Sequence, residues 1–121
     1  MNYNVDKNAA KDKNFQWSAN EWEGGTWMCG TWHSGVWLDG TWLDGHWIDG
    51  DWKSGTWVAG TWRNGLWFGG VHVAGHWSRG QWLDGVWVSG TWQSGSWANG
   101  VWHDGVWHDG NWNSGKWYGG K

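Results

Sequence analysis

The chain has 121 residues, of which 20 are tryptophan and 23 are glycine, with two phenylalanines, two tyrosines and no proline. A chain of this length makes one small domain, and this composition indicates a repeat rather than an ordinary globular core. The formal net charge of −3 makes nucleic acid an unlikely partner. The single cysteine, Cys29, excludes an intrachain disulfide, and no apolar run approaches the roughly 18–20 residues of a membrane span.

Residues 1–15 form a polar segment rich in lysine and aspartate. We expect an N-terminal arm or cap here, followed by a repeat domain over residues 16–121. The segment lacks the apolar run of a secretory signal, so the sequence favours a cytoplasmic or virion location. At the other end, Lys116 to Lys121 stay in register with the repeat without a capping sequence, and we expect another subunit to cover that end.

The repeat has a period of five. From Trp17 to Trp117, tryptophan stands at every fifth position, with His72 as the one exception. Glycine comes three positions after each of these residues, except that Asn20 stands there in the first unit. Asparagine is the residue that tolerates a left-handed backbone best after glycine. The slot held by Asn20 and Gly60 is therefore predicted to be a corner with positive φ, and the Asp, Asn, Ser or Ala that usually precedes it fits a turn.

A period of five restricts the backbone to few conformations. On an α-helix it advances about 140° per unit, so the tryptophans would face no common core. On a straight strand an odd period points successive tryptophans to opposite faces, and a meander of three-residue strands leaves one hairpin unpaired. The sequence therefore predicts an all-β fold, a single parallel β-solenoid whose coils lie roughly 4.8 Å apart.

The central tryptophan of each unit is predicted to point inward while its two neighbours point outward. An indole buries about 150–250 Å², so a core position explains the repeated tryptophans better than an exposed aromatic ladder does. Every buried indole N–H then needs an acceptor, and the corner carbonyls are the candidates. The predicted structural core includes Trp27, Trp42, Trp57, Trp77, Trp92 and Trp107.

Written from the glycine, the unit Gly40-Thr41-Trp42-Leu43-Asp44 resembles the unit of pentapeptide-repeat proteins, in which a small residue and then a large apolar one, two positions later, face inward. The resemblance covers residues 16–121. It implies a right-handed, four-sided β-solenoid with a 20-residue coil. The units are also similar, less specifically, to repetitive segments of tailed-bacteriophage structural proteins, which implies a virion or fibre component.

The outward residues leave the number of sides open. A three-sided, 15-residue coil aligns Thr26, Thr41, Thr56, Val71, Val86 and Val101. A four-sided, 20-residue coil aligns Met28, Ile48, Phe68 and Val88. Either register leaves one outward face apolar, and such a face usually marks an interface. We therefore expect a protein–protein interface that includes Met28, Val58, Phe68 and Val88.

Residues able to carry chemistry are few. The unit Val-Trp-His-Asp-Gly occurs twice, but no closed set of metal ligands is visible among its side chains His103, Asp104, His108 and Asp109. Cys29 has no recognisable base beside it, and His72 is expected to be a packed, hydrogen-bonded histidine. The sequence thus predicts no catalytic residue, no cofactor and no metal site.

Repetition without a chemical site favours a non-enzymatic structural or assembly protein, such as a rigid rod, a decoration or a fibre component. Its apolar face and its ends would dock protein subunits. The alternative is a freestanding binding module that presents a flat face to a glycan or, less readily, to ice, using Thr26, Thr31, Thr41, Thr56, Thr61 and Thr91. A DNA-mimic role, which the resembled family includes, is disfavoured because the acidic residues are few and dispersed.

Overall fold

The structure is a computed structural model that describes residues 16–17 and 20–121, with side chains from residue 21 onward. The predicted arm over residues 1–15 lies outside the described residues. Within the described ranges the chain consists of short strands joined by corners, and it contains no helix of the length and apolarity that a membrane span requires.

Each repeat unit contributes one strand of two or three residues. The first seven strands are β1 (Gln16–Trp17), β2 (Asn20–Trp22), β3 (Thr26–Trp27), β4 (Thr31–Trp32), β5 (Gly35–Trp37), β6 (Thr41–Trp42) and β7 (His46–Trp47). The next seven are β8 (Asp51–Trp52), β9 (Thr56–Trp57), β10 (Thr61–Trp62), β11 (Leu66–Trp67), β12 (Val71–His72), β13 (His76–Trp77) and β14 (Gln81–Trp82). The last seven are β15 (Val86–Trp87), β16 (Thr91–Trp92), β17 (Ser96–Trp97), β18 (Val101–Trp102), β19 (Val106–Trp107), β20 (Asn111–Trp112) and β21 (Lys116–Trp117).

Every third strand belongs to the same parallel sheet. The first sheet contains β1, β4, β7, β10, β13, β16 and β19, the second begins at β2, and the third begins at β3. The register aligns residues 15 positions apart, as Thr41 aligns with Thr56. The backbone N–H that follows each tryptophan donates to the tryptophan carbonyl one coil earlier, at 2.8 Å from Leu43 to Trp27. The predicted all-β parallel solenoid is confirmed.

The four-sided, 20-residue coil is wrong, because the chain closes three sheets with a 15-residue coil. Consecutive indoles meet edge to face, with ring centroids 5.8 Å apart for Trp37 and Trp42 and 5.9 Å apart for Trp42 and Trp47. Indoles one coil apart stack, with centroids of Trp42 and Trp57 4.7 Å apart. The three indoles of a coil thus fill its cross-section by direct contact. Edge-to-face contact around the axis and stacking along it leave the tryptophans between Trp22 and Trp102 with no exposed surface, so three sides are enough to give the close packing of a protein interior.

The tryptophans form the core of the rod from β2 to β18. All those between Trp22 and Trp102 have no exposed surface. Among the predicted core residues, Trp107 is the exception because it is only partly buried. The other five, which have no exposed surface, are Trp27, Trp42, Trp57, Trp77 and Trp92.

The indole N–H groups point to the corners, as the sequence predicts, but only some find an acceptor there. Trp52 donates to the carbonyl of Gly69 at 3.1 Å, and Trp102 donates to that of Gly119 at 3.0 Å. The indole nitrogen of Trp42 also lies at a corner, against Gly60, without a hydrogen bond. The core is therefore held mainly by ring packing, and indole hydrogen bonds contribute at a minority of coils.

The corners require glycine for two reasons. Gly60 has a φ of +119°, which side chains rarely adopt, and a Cβ atom there would lie 2.5 Å from the carbonyl oxygen of Gly45 one coil earlier. The sequence predicted the positive φ but not this close approach. At the stacked corner one coil earlier, the carboxylate of Asp44 accepts the N–H of Gly45 at 2.8 Å, which confirms the predicted turn chemistry. Asn20 pairs with Gly35 in the second sheet, and its side chain lies outside the described residues.

Candidate functional site

The rod presents three outward faces, one for each sheet, made of the residues that flank the inward ring. The first face is polar, with histidines at several coils, as at His46. The second face mixes charged and apolar residues, as at Asp51 and Leu66. The third face has the longest uncharged run: its outward positions from Thr26 to Val101, over six strands, carry no ionisable side chain, whereas such a run on the second face covers four strands, from Leu66 to Asn113.

We call this part of the third face the apolar face. Its outward residues are Thr26, Met28, Thr41, Leu43, Thr56, Val58, Val71, Val73, Val86, Val88 and Val101. Neighbouring residues align across the strands, as Val71 does with Val86, and β-branched pairs of this kind stabilise parallel sheets. Met28 is 43% exposed and Val88 is 36% exposed, so the surface is open to a partner. Three of the four residues predicted at the interface, Met28, Val58 and Val88, lie on the apolar face.

Phe68, the fourth predicted interface residue, does not lie with the others. It follows β11 in the second sheet, so it belongs to the second face. The ammonium nitrogen of Lys53, one coil earlier, lies 3.7 Å from the centre of its ring. This prediction depended on the 20-residue register, and the 15-residue coil separates Phe68 from Val88.

The threonines that would line a flat binding face are divided between two faces. Thr26, Thr41 and Thr56 lie in the third sheet, on the apolar face. Thr31, Thr61 and Thr91 lie in the first sheet, where His46 and His76 separate them. The structure therefore has no single face that carries all six threonines.

The two His-Asp units also fall on different faces. His103 follows a strand of the third sheet, whereas His108 follows a strand of the first. The ring of His103 instead lies near that of Tyr118, with centroids 5.4 Å apart and planes 16° apart. Among the described residues, no group of three His, Cys, Asp or Glu side chains is placed to hold a metal ion.

His72 is packed as the sequence predicts, but the predicted hydrogen bond is wrong. Its ring has no exposed surface, and neither ring nitrogen has a hydrogen-bond partner. The rings around it are indoles, which offer stacking and edge contacts, and the backbone groups of His72 and Ser89 that lie near the imidazole do not reach hydrogen-bond geometry with it. Burial lowers the pKa of His72 from its usual 6.5 to about 3.

Shallow grooves run along the corners of the rod. The groove between the second and third faces has a volume of about 490 Å³ and includes Asp84, Asn99 and Tyr118. The groove between the third and first faces has a volume of about 300 Å³ and includes Cys29, which is partly buried, and Asp44. The apolar face remains the most distinctive outward feature of the described chain.

No protein-family model, no curated protein and no solved structure matches this chain. The geometry is consistent with a solenoid like that of pentapeptide-repeat proteins, because parallel coils are built from units with tryptophan at every fifth position.

Proposed function

We propose that this protein is a non-enzymatic structural rod that packs side by side with further copies of itself through the apolar face. The observation that carries the proposal is the absence of ionisable outward residues on that face from Thr26 to Val101, over six consecutive strands, which is the longest uncharged run on the described rod. Contiguous apolar surface on a soluble protein usually marks an interaction site.

The rod is suited to a mechanical role because its core is continuous. Each indole contacts the preceding and following units edge to face and stacks on the indoles one coil away, as Trp42 does with Trp27 and Trp57. Six strand-to-strand steps of roughly 4.8 Å give each sheet a length of about 29 Å. The apolar face is thus a nearly flat surface with regularly spaced ridges.

A second copy fits this face better than a charged partner does. Both copies have the same spacing between strands, so the side chains of one can interdigitate with those of the other along the sheet. A two-fold axis would let both copies bury the same patch. The net charge of −3 opposes the approach of two copies only weakly.

The size of the face limits the strength of the contact. Its six strands span roughly 24 Å, and the outward residues before and after the inward ring cover a width of about 10 Å. The flat area is on the order of 240 Å² per copy, or roughly 500 Å² for a pair, against about 1,200–2,000 Å² in a stable interface. We therefore expect pairs to form only at high protein concentration unless further contacts add to the face.

Sedimentation velocity between about 10 µM and 1 mM protein tests this proposal. The apparent mass of the unaltered chain should rise with concentration. Val88→Asp should abolish that rise, because burying an unpaired carboxylate in an apolar contact is costly. Val58→Asp should act in the same way, because Val58 lies on the same face.

The matched control is Phe68→Asp, which changes an outward apolar residue on the second face beside Lys53. It should leave the association unchanged, and all three variants should keep the β-solenoid circular dichroism spectrum. An unaltered chain that stays monomeric over the whole range would contradict the proposal. A Val88→Asp variant that associates like the unaltered chain would contradict it as well.

Within this class of protein we propose a fibre or decoration component of a virus or phage particle. The support for this narrower role is the resemblance of the repeat unit to segments of phage structural proteins. A two-fold pair is closed, so a fibre also needs contacts at the ends of the rod. Electron microscopy of concentrated protein would then show rods joined end to end, and dispersed single rods or isolated pairs would contradict a fibre role.

A further inference from the structure

His72 is the single position between Trp22 and Trp102 at which the tryptophan slot holds another residue. It lies in β12, in the column of rings behind the third sheet. Its imidazole stacks on Trp87, with centroids 3.8 Å apart and planes 4° apart, and more distantly on Trp57, at 6.1 Å. An imidazole lacks the second ring of an indole, so it fills less of the slot.

Every element packed against this imidazole presents an indole. The edge-to-face neighbours are Trp67 in β11, at 6.0 Å, and Trp82 in β14, at 6.3 Å, and the stacked neighbours belong to β9 and β15. No carboxylate and no cation faces the ring from any of these strands, whose inward residues are Trp57, Trp67, Trp82 and Trp87. The imidazole is therefore an ionisable group in an apolar, uncharged environment.

This environment suits the neutral ring and opposes its protonation. An imidazolium in an apolar core is strongly destabilised when no well-formed hydrogen bond replaces its lost hydration. Backbone groups of His72 and Ser89 favour the protonated ring, but burial has the larger effect and lowers the pKa of His72 to about 3. The folded pKa lies below the unfolded value of 6.5. The contribution of His72 to the stability is therefore fully present above pH 6.5, and it is lost progressively as the pH falls from 6.5 toward 3.

We propose that His72 makes the middle of the rod acid-sensitive, because protonation of this imidazole opens the coils on either side while the two ends of the rod stay folded. The opening stays local, because each coil contacts only the coil before it and the coil after it. An opened coil exposes the imidazole to water without unfolding the distant coils. The rod is thus stable near neutral pH and opens locally at its middle in acid.

Hydrogen–deuterium exchange at about pH 7.5 and pH 4.5 tests this inference, with each amide compared to its own unstructured rate at the same pH. The protection factors of peptides over residues 56–90 should be up to about 100-fold lower at pH 4.5 than at pH 7.5. This corresponds to a tenfold loss for each pH unit below the unfolded pKa of 6.5. His72→Trp restores the repeat and removes the ionisable group, so it should keep its protection in acid. His72→Phe gives a second non-ionisable ring if the tryptophan variant does not fold.

The matched control is His46→Gln, which removes an exposed histidine from the first face. It should lose protection over residues 56–90 as the unaltered chain does. The inference is overturned if the folded non-ionisable variant, His72→Trp or His72→Phe, loses the same protection as the unaltered chain. It is also overturned if the loss in the unaltered chain is spread evenly over all coils.

Discussion

Replacing one central tryptophan by alanine tests how much of the stability comes from ring packing. Trp57 has no exposed surface, stacks on Trp42 at 4.7 Å, and meets Trp52 and Trp62 edge to face at 5.7 and 5.9 Å. Burying about 150–250 Å² at ~25 cal/mol/Å² gives roughly 4–6 kcal/mol, and large-to-small changes of tryptophan in cores cost about 3–5 kcal/mol. We expect Trp57→Ala to lower the free energy of unfolding by about 4 kcal/mol.

Urea unfolding followed by far-ultraviolet circular dichroism measures this loss. Trp117→Ala is the matched control, because Trp117 lies in the same sheet but is 40% exposed, with Trp102 stacked on it at 4.7 Å. Its loss should be about half as large, since less area leaves the core. Equal losses for the two variants, or a loss below about 1 kcal/mol for Trp57→Ala, would refute the view that buried ring packing holds the rod together.

Two further predictions concern the corners. Gly60→Ala should lower the stability by at least about 2 kcal/mol, because its φ is strained for alanine and its Cβ would contact a backbone oxygen, whereas Gly69→Ala, with an ordinary contact at 3.6 Å, should change it by less than about 0.5 kcal/mol. Equal melting temperatures for these two variants would refute the corner geometry. Asp44→Ala removes the acceptor for the N–H of Gly45 and should cost about 0.5 kcal/mol, while Asp44→Asn keeps an acceptor. Urea unfolding distinguishes them, and an asparagine variant as unstable as the alanine variant would count against this hydrogen bond.

Much of the fold was predictable because the period of five leaves few choices. An unbroken spacing from Trp17 to Trp117 excludes a helix and a flat sheet, and the glycine slot marks a corner in every unit. The number of sides was not predictable from the same pattern. Outward residues 15 and 20 positions apart both give apolar lanes, and the 15-residue coil is visible only in the strand pairing and in the contacts of consecutive indoles around the axis.

The residues of the interface were predictable only in part, because the face on which each one lies depends on the number of sides. Met28, Val58 and Val88 share a face in the observed register, whereas the placement of Phe68 depended on the side count. The missing hydrogen bond of His72 was not predictable, because it depends on the orientation of the ring among its indole neighbours. The close approach of Gly60 to Gly45 is likewise a property of adjacent coils, which a five-residue unit considered alone does not contain.

Three five-residue units make one 15-residue coil, so a unit can lie on any of three faces. The number of units that precede it decides which face that is. Loss of three consecutive units would shorten the rod by one coil and leave every remaining residue on its own face. Loss of one unit, for example residues 61–65, would keep the tryptophan core in step but turn everything after it by one face. Thr41 and Thr56 would then stay on one face of the rod, while Val71 and Val86 would move to a neighbouring face. The deletion of one unit would therefore divide the uncharged surface between two faces, although every side chain that forms it would still be present.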